Sequence, residues 1–304
     1  MPAHSALTLP PLPYADWVET KETLHLFLQI IGKIRMKTHP KLNHWWHVTL
    51  YPATSGLTTG RIPCGDMGFE IFFDMIDHSV RVRRDDGLME SFDVPGKSVA
   101  QFYDALFTAL NTLGISVKIV GLPYENKSTI PFAEDMVHKT YDADAVTRYW
   151  AALCRISVIF ERFRSRFTGK QTPVHLYWHS FDLAVTRFSG RAHPLEGGTV
   201  SDREAYSHEV ISFGFWPGDD SFPEPAFYAY AYPEPEGLPS VPLKPPAAFW
   251  TEKNGGSLAI LKYDDLRHAP QPADSLLAFL QAVYDGAAKK ADWNVAALEH
   301  AFSS

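Results

Sequence analysis

The first regular pattern in the chain is helical. Leu24, Phe27, Leu28, Ile31 and Ile34 recur at three- and four-residue spacing, which predicts a helix over about residues 15–36. Pro40 ends it, since proline cannot donate into a helix. Residues 43–51, containing HWWHVTLY, are short and rich in β-formers and predict a strand. Three more strands are expected at 68–75, 79–84 and 88–94, the last two joined by the tight turn Asp86-Gly87. Ser98 with Gln101 forms a capping box, and Val99, Phe102, Leu106, Leu110 and Leu113 make the apolar stripe of a second helix that closes at Gly114. Residues 116–120 read as one further strand.

The order then repeats. Asp142 caps a long helix whose stripe runs Val146, Tyr149, Trp150, Leu153, Ile156, Phe160, Phe163, Phe167, with Gly169 and Pro173 as its stop. Residues 174–188 predict one strand, 208–216 and 226–232 two more, and 249–263 a hairpin turning at Asn254-Gly255-Gly256. Leu276, Leu277, Leu280, Val283 and Tyr284 mark a closing helix. The proline-rich lead (Pro10, Pro11, Pro13) and the proline-rich stretch 224–246 are expected on the surface.

These elements predict an α+β fold of two related halves, residues 1–140 and 141–304, arranged about a pseudo-twofold. Each half holds a helix, an antiparallel sheet of several strands and a second helix. One ungapped register places Trp17 on Tyr149, Leu24 on Ile156, Leu28 on Phe160 and Trp46-His47 on Trp178-His179. The match has exceptions, since Ile30 and Ile34 fall on Arg162 and Arg166.

Composition narrows the class. Apolar residues make up 45% of the chain and aromatics 13%, enough for a sizeable core and unlike a disordered chain. A net charge of −7 argues against a dedicated nucleic-acid binder. Arg162, Arg164, Arg166 and Lys170 alternate with phenylalanines and read as the wet face of a helix. Two distant cysteines, Cys64 and Cys154, suit a reducing compartment. The first residues lack the pattern of a signal peptide, and no apolar run is long enough to span a membrane, so the expectation is a cytoplasmic protein without membrane partners.

Candidate chemistry gathers near the two Trp-His pairs. On a strand, alternate residues share a face, which would set His175, Tyr177 and His179 against Trp178, Ser180 and Asp182, and His47 with Trp45. A small-molecule site is expected with His179, His208, Asp182 and Glu209 in catalytic roles, and with Trp46, His47, Trp178, Tyr206 and Arg187 binding the ligand. Histidine titrates near neutrality, so acid–base chemistry oriented by Asp182 or Glu209 is the simplest mechanism for an enzyme. Arg187 with Arg191 would suit an anionic group. No HExxH, paired-cysteine, GxSxG or phosphate-loop motif is present, and neither metal nor cofactor is expected. Tyr228, Tyr230 and Tyr232 should share one strand face and offer a wall for a sugar, a flat ring or an apolar ligand.

The segments LPPLPYADW, NHWWHVTLY, WHSFDLAVTRFSGR, YSHEVISFGFWPGD and FYAYAYPEP together resemble an uncharacterised bacterial domain-of-unknown-function family of about this length. The resemblance implies a cytosolic bacterial protein and brings no activity with it. The expected function is therefore small-molecule binding, with or without His-based catalysis. Two alternatives are a non-catalytic interaction module using residues 222–246 and a metal-dependent hydrolase built on His175, His179, His208 and Glu209.

Overall fold

A computed structural model describes residues 8–253 and 255–300. In chain order its principal elements begin with α1 (Tyr14–Thr38), β1 (Tyr51–Pro52), β2 (Gly56–Thr58), β3 (Ile62–Cys64), β4 (Met67–Asp74), β5 (Ser79–Arg84), β6 (Met89–Asp93) and α2 (Val99–Thr112). There follow α3 (Ala143–Arg164), β7 (His175–Tyr177), β8 (Asp182–Ala192), α4 (Val200–Ala205), β9 (His208–Trp216) and β10 (Ala226–Tyr232). The chain closes with β11 (Phe249–Lys253), β12 (Gly256–Lys262), α5 (Tyr263–Arg267), α6 (Pro272–Lys290) and α7 (Val295–Leu298). Among the described residues the strands form two antiparallel sheets of six, so the fold is α+β as expected. One sheet runs β1-β2-β4-β5-β6 with β3 beside β4, and the other runs β11-β12-β10-β9-β8-β7.

The chain divides into two compact units. One comprises Ala15–Ala151 with His175–Phe181, and the other the described parts of Met1–Tyr14, Ala152–Val174 and Asp182–Ser304. In the first, α1 is buried on nearly every side, and Phe27 stacks on Phe102 of α2 with ring centroids 4.1 Å apart. The Ser98 capping box starts α2, and the Asp86-Gly87 turn joins β5 to β6. In the second, Asp142 caps the start of α3 through its Oδ1, although that first turn is itself counted with the other unit. Phe163 of α3 and Tyr284 of α6 pack into the core beneath β8 and β9.

Several expected strands take other forms. Residues 43–48 coil as a 3-10 turn, with His44 (φ 53°) and Trp45 (φ 60°) both left-handed. The aromatic residues that suggested a strand stack within this coil instead, His44 on Trp46 at 5.4 Å and Trp45 on His47 at 5.0 Å. Strand propensity is largely a measure of how side chains pack on neighbours, and here local ring contacts supply that packing. Residues 174–188 are not one strand but two. Between β7 and β8 the chain turns, with the Phe181 N–H donating to Tyr177 O at 2.8 Å and Phe181 at φ 60°. The alternation argument for Trp178 through Asp182 therefore fails. Residues 116–120 form no strand among the described residues. α3 ends at Arg164, so Phe167 of its expected stripe lies beyond the helix.

The proline-rich segments are also better anchored than expected. Leu9 and Leu12 are buried, and Pro10 O accepts from the Tyr263 hydroxyl at 2.8 Å. Within 224–246, residues 226–232 are the central strand β10, while Leu238 and Val241 are buried and Val241 O accepts from Trp250 Nε1. The hairpin β11–β12 forms as expected, but Asn254 of its turn lies outside the described residues. No described helix is long and apolar enough to cross a membrane.

Candidate functional site

Strand register sorts the second sheet into two unlike faces. Residues paired across antiparallel strands point the same way. Leu183, Phe215, Phe227 and Leu261 form one cross-strand row, and Val185, Phe213, Ala229 and Ala259 the next. These rows are buried, and Phe163 of α3 lies edge-on to Phe213 at 4.9 Å. The opposite face carries Ala184, Gly214 and Tyr228 in one row, Thr186, Ser212 and Tyr230 in the next, then Phe188, Val210 and Tyr232. Small or hydroxylated residues thus stand beside Tyr228 and Tyr230, and Phe188 and Val210 beside Tyr232; the three half-buried tyrosines share one face, as the alternation in FYAYAY predicted.

On that face the phenols are joined by hydrogen bonds. The Tyr228 hydroxyl donates to Asp182 Oδ2, reaching across β9 over Gly214. Burial and the Asp182 charge push the Tyr228 phenol well above its ordinary pKa, so it stays protonated and donates. The Tyr228 and Tyr230 rings stack with centroids 6.2 Å apart, and the Tyr230 and Tyr206 hydroxyls are 2.8 Å apart. Tyr206 meets Tyr232 at 5.1 Å, and His193 meets Tyr232 at 5.5 Å. Trp216 closes the other end, 5.9 Å from Tyr228. Of the residues singled out in the sequence as catalytic or ligand-binding, Asp182 and Tyr206 belong to this network, together with the Tyr228, Tyr230 and Tyr232 wall.

The other candidates of this unit lie elsewhere. Arg187 occupies the helix-covered face and is fully buried. Its Nη2 donates to Phe163 O at 2.6 Å, and its guanidinium carbon sits 3.6 Å from the Phe163 ring centre, 4.3 Å from Tyr284 and 4.8 Å from Phe167. Burial lowers its pKa to about 10, leaving it cationic at neutral pH. His208 and Glu209 are consecutive on β9 and so point to opposite faces. His208 Nδ1 lies 3.1 Å from Ser207 Oγ, while Glu209 accepts from Arg191 Nε at 2.9 Å. Glu209 borders a cleft of about 260 Å³ at the sheet's end, with Tyr232, Pro235, Lys290 and Trp293.

In the first unit, Trp178 is buried and its indole lies against Gly32, where a β-carbon would stand 2.1 Å from Trp178 Cδ1. His179 is half-buried and its Nδ1 is 3.1 Å from Glu125 Oε2. His47 is buried and its Nδ1 accepts from the Leu42 N–H at 3.3 Å, whereas Trp46 is half-buried beside His44.

Sequence reading missed the polar interior of α1. Lys21, His25, Gln29 and Lys33 stand four residues apart, on one helix face, and all are buried. His25 Nε2 donates to the carbonyls of Trp178 and His179, both at 3.0 Å, and burial together with Lys21 lowers its pKa to about 4. Gln29 binds the Tyr124 backbone twice, donating at 2.8 Å and accepting at 2.9 Å. Lys21 is 2.9 Å from Glu22. The signal in the sequence is a polar residue at every fourth position, Lys21, His25, Gln29 and Lys33, beside the apolar stripe.

Among the described residues no three His, Cys, Asp or Glu side chains converge as a metal-ligand set. The chain belongs to a family of unknown function (DUF5996), whose sequence profile matches residues 9–300. No curated protein and no solved structure matches it.

Proposed function

For a member of a family without an assigned activity, we propose small-molecule binding, with the ligand lying on the tyrosine face of the second sheet. The observation that carries this is the hydrogen-bonded row Asp182–Tyr228 and Tyr230–Tyr206, flanked by Tyr232 and Trp216. Stacked phenols offer flat apolar surface, and their hydroxyls offer both donors and acceptors. That combination suits a ligand with a planar ring or a sugar face and a few hydroxyls. A buried phenol already committed to Asp182 is rigid, which lowers the ordering cost of binding.

The working compartment in this proposal is the cytosol of a bacterium, in keeping with two cysteines that are both unpaired. Descent of the two halves from one ancestor is a further part of it. Its support is that Trp46-His47 and Trp178-His179 each sit in a non-strand turn shortly before a strand.

The test is saturation-transfer NMR with a panel of aryl glycosides and free sugars. Binding by the wild type that falls at least tenfold in Tyr230→Phe supports the proposal. A panel bound equally by both proteins refutes the assignment of this face.

A further inference from the structure

Two side chains of the first unit that are almost wholly covered, Lys33 and Trp178, carry hydrogen-bond donors that meet no acceptor among the described residues. Lys33 is 5% exposed, and its ammonium lies 5.6 Å from the Trp178 ring centre and 5.9 Å from that of Phe132. These ring contacts are its only interactions among the described residues; neither a carboxylate nor a carbonyl meets it. Trp178 is 3% exposed, and its indole Nε1 has no acceptor among the described residues. Buried polar groups are nearly always satisfied, so the indole N–H of Trp178 is an exception that asks for an acceptor. Burial lowers the Lys33 pKa. The neighbouring buried cation, Lys21, is already paired with Glu22.

The covering segment has the form of a compact surface loop. Gly121 O accepts from the Phe132 N–H at 2.8 Å, so residues 121–132 leave and return at one point. Side chains hold this loop on α1: Gln29 grips the Tyr124 backbone, and Asn126 Nδ2 lies 3.4 Å from His25 Nδ1. Phe132, at the loop's root, is one of the two rings that enclose the Lys33 ammonium. A loop held by a few side-chain bonds opens far more readily than a sheet or helix.

We propose that Lys33 and Trp178 form a binding site for a small monocarboxylate, covered by the 121–132 loop. One cation and one neutral N–H balance a single negative charge, whereas a phosphate dianion would keep an uncompensated charge in an apolar setting. The flanking Trp178 and Phe132 rings favour a planar acceptor such as a carboxylate. Entry requires the loop to lift, so Gln29 governs the rate of exchange and Lys33 the affinity. The site is independent of the tyrosine face of the other unit.

The experiment follows the amide and indole NMR signals of the full chain during titration with sodium benzoate, and separately with sodium acetate and inorganic phosphate, at constant ionic strength. The Trp178 indole N–H signal should shift saturably with a carboxylate and not with phosphate. Lys33→Met should abolish that shift by at least tenfold in affinity while the protein stays folded. Gln29→Ala should keep the affinity within about threefold but speed exchange. A Trp178 signal unmoved by all three anions overturns the proposal, as does carboxylate binding retained in Lys33→Met. A response to phosphate stronger than to either carboxylate overturns the monoanion assignment. Should Lys33→Met fail to fold, Lys33→Gln serves in its place, with the same outcomes.

Discussion

A β-carbon on residue 214 would stand 2.3 Å from Cζ of Tyr228. Gly214 is what allows the phenol to lie flat across β9 and reach Asp182. Gly214→Ala must therefore push the ring away or distort the strand, and overpacking of this kind costs about 1–3 kcal/mol. Urea unfolding should show that loss. Tyr228→Phe, which removes the bond but not the ring, should cost less than Gly214→Ala. Equal stability of Gly214→Ala and wild type would mean that the ring does not occupy this position.

Arg187 yields a prediction of the opposite sign. Its guanidinium makes one hydrogen bond within a box of aromatic rings, and Nε and Nη1 have no acceptor among the described residues. Buried charges are often replaced by apolar groups of similar volume at little cost or with a gain. Arg187→Met should be within about 1 kcal/mol of wild type or more stable, whereas Arg187→Ala, which leaves a cavity, should lose about 3 kcal/mol or more. The folded pKa, about 10, is below the ordinary value, so the charge penalty is present at every lower pH and is relieved only above about 10. The Met-versus-Arg difference should then be flat between pH 5 and 9 in denaturant titrations. A difference that changes across that range would contradict this reading.

His25 links stability to acid. Its pKa is 6.5 in an ordinary setting and about 4 in the fold, so the unfolded chain takes up the proton first. Stability from this residue is complete above pH 6.5 and is lost as pH falls towards 4. The limit of the loss is about 3 kcal/mol, from roughly 1.4 kcal/mol per pKa unit. His25→Gln should be less stable at pH 7 yet lose less on going to pH 4.5 than the wild type does. Parallel losses in the two proteins would show that His25 is not held neutral.

How legible this was in the sequence depended on the range of the forces involved. The helices followed from three- and four-residue spacing and local caps: Ser98 and Asp142 cap as read, and the Asp86-Gly87 hairpin formed. The Tyr228, Tyr230, Tyr232 face followed from alternation on a true strand. The two Trp-His segments did not, because strand propensity does not foresee consecutive left-handed residues at His44 and Trp45, where the rings stack within the coil, or the left-handed turn at Phe181. With those turns, the shared-face argument for His179 and Trp178 lost its basis. Arg187 was read as a ligand clamp because a strand-end arginine is usually wet; only register shows that it faces Phe163 and Tyr284. Asp182 was noticed for its charge, yet its partner Tyr228 lies 46 residues away and across a strand.

The most direct test of the tyrosine face as a ligand site is saturation-transfer NMR with the double variant Tyr206→Phe/Tyr230→Phe, which removes one hydroxyl pair and keeps every ring. The account predicts that at least one aryl glycoside or sugar binds the wild type, that the double variant binds it at least tenfold more weakly, and that the variant melts within a few degrees of wild type. The contradicting result is a ligand panel that binds neither protein, or that binds both alike.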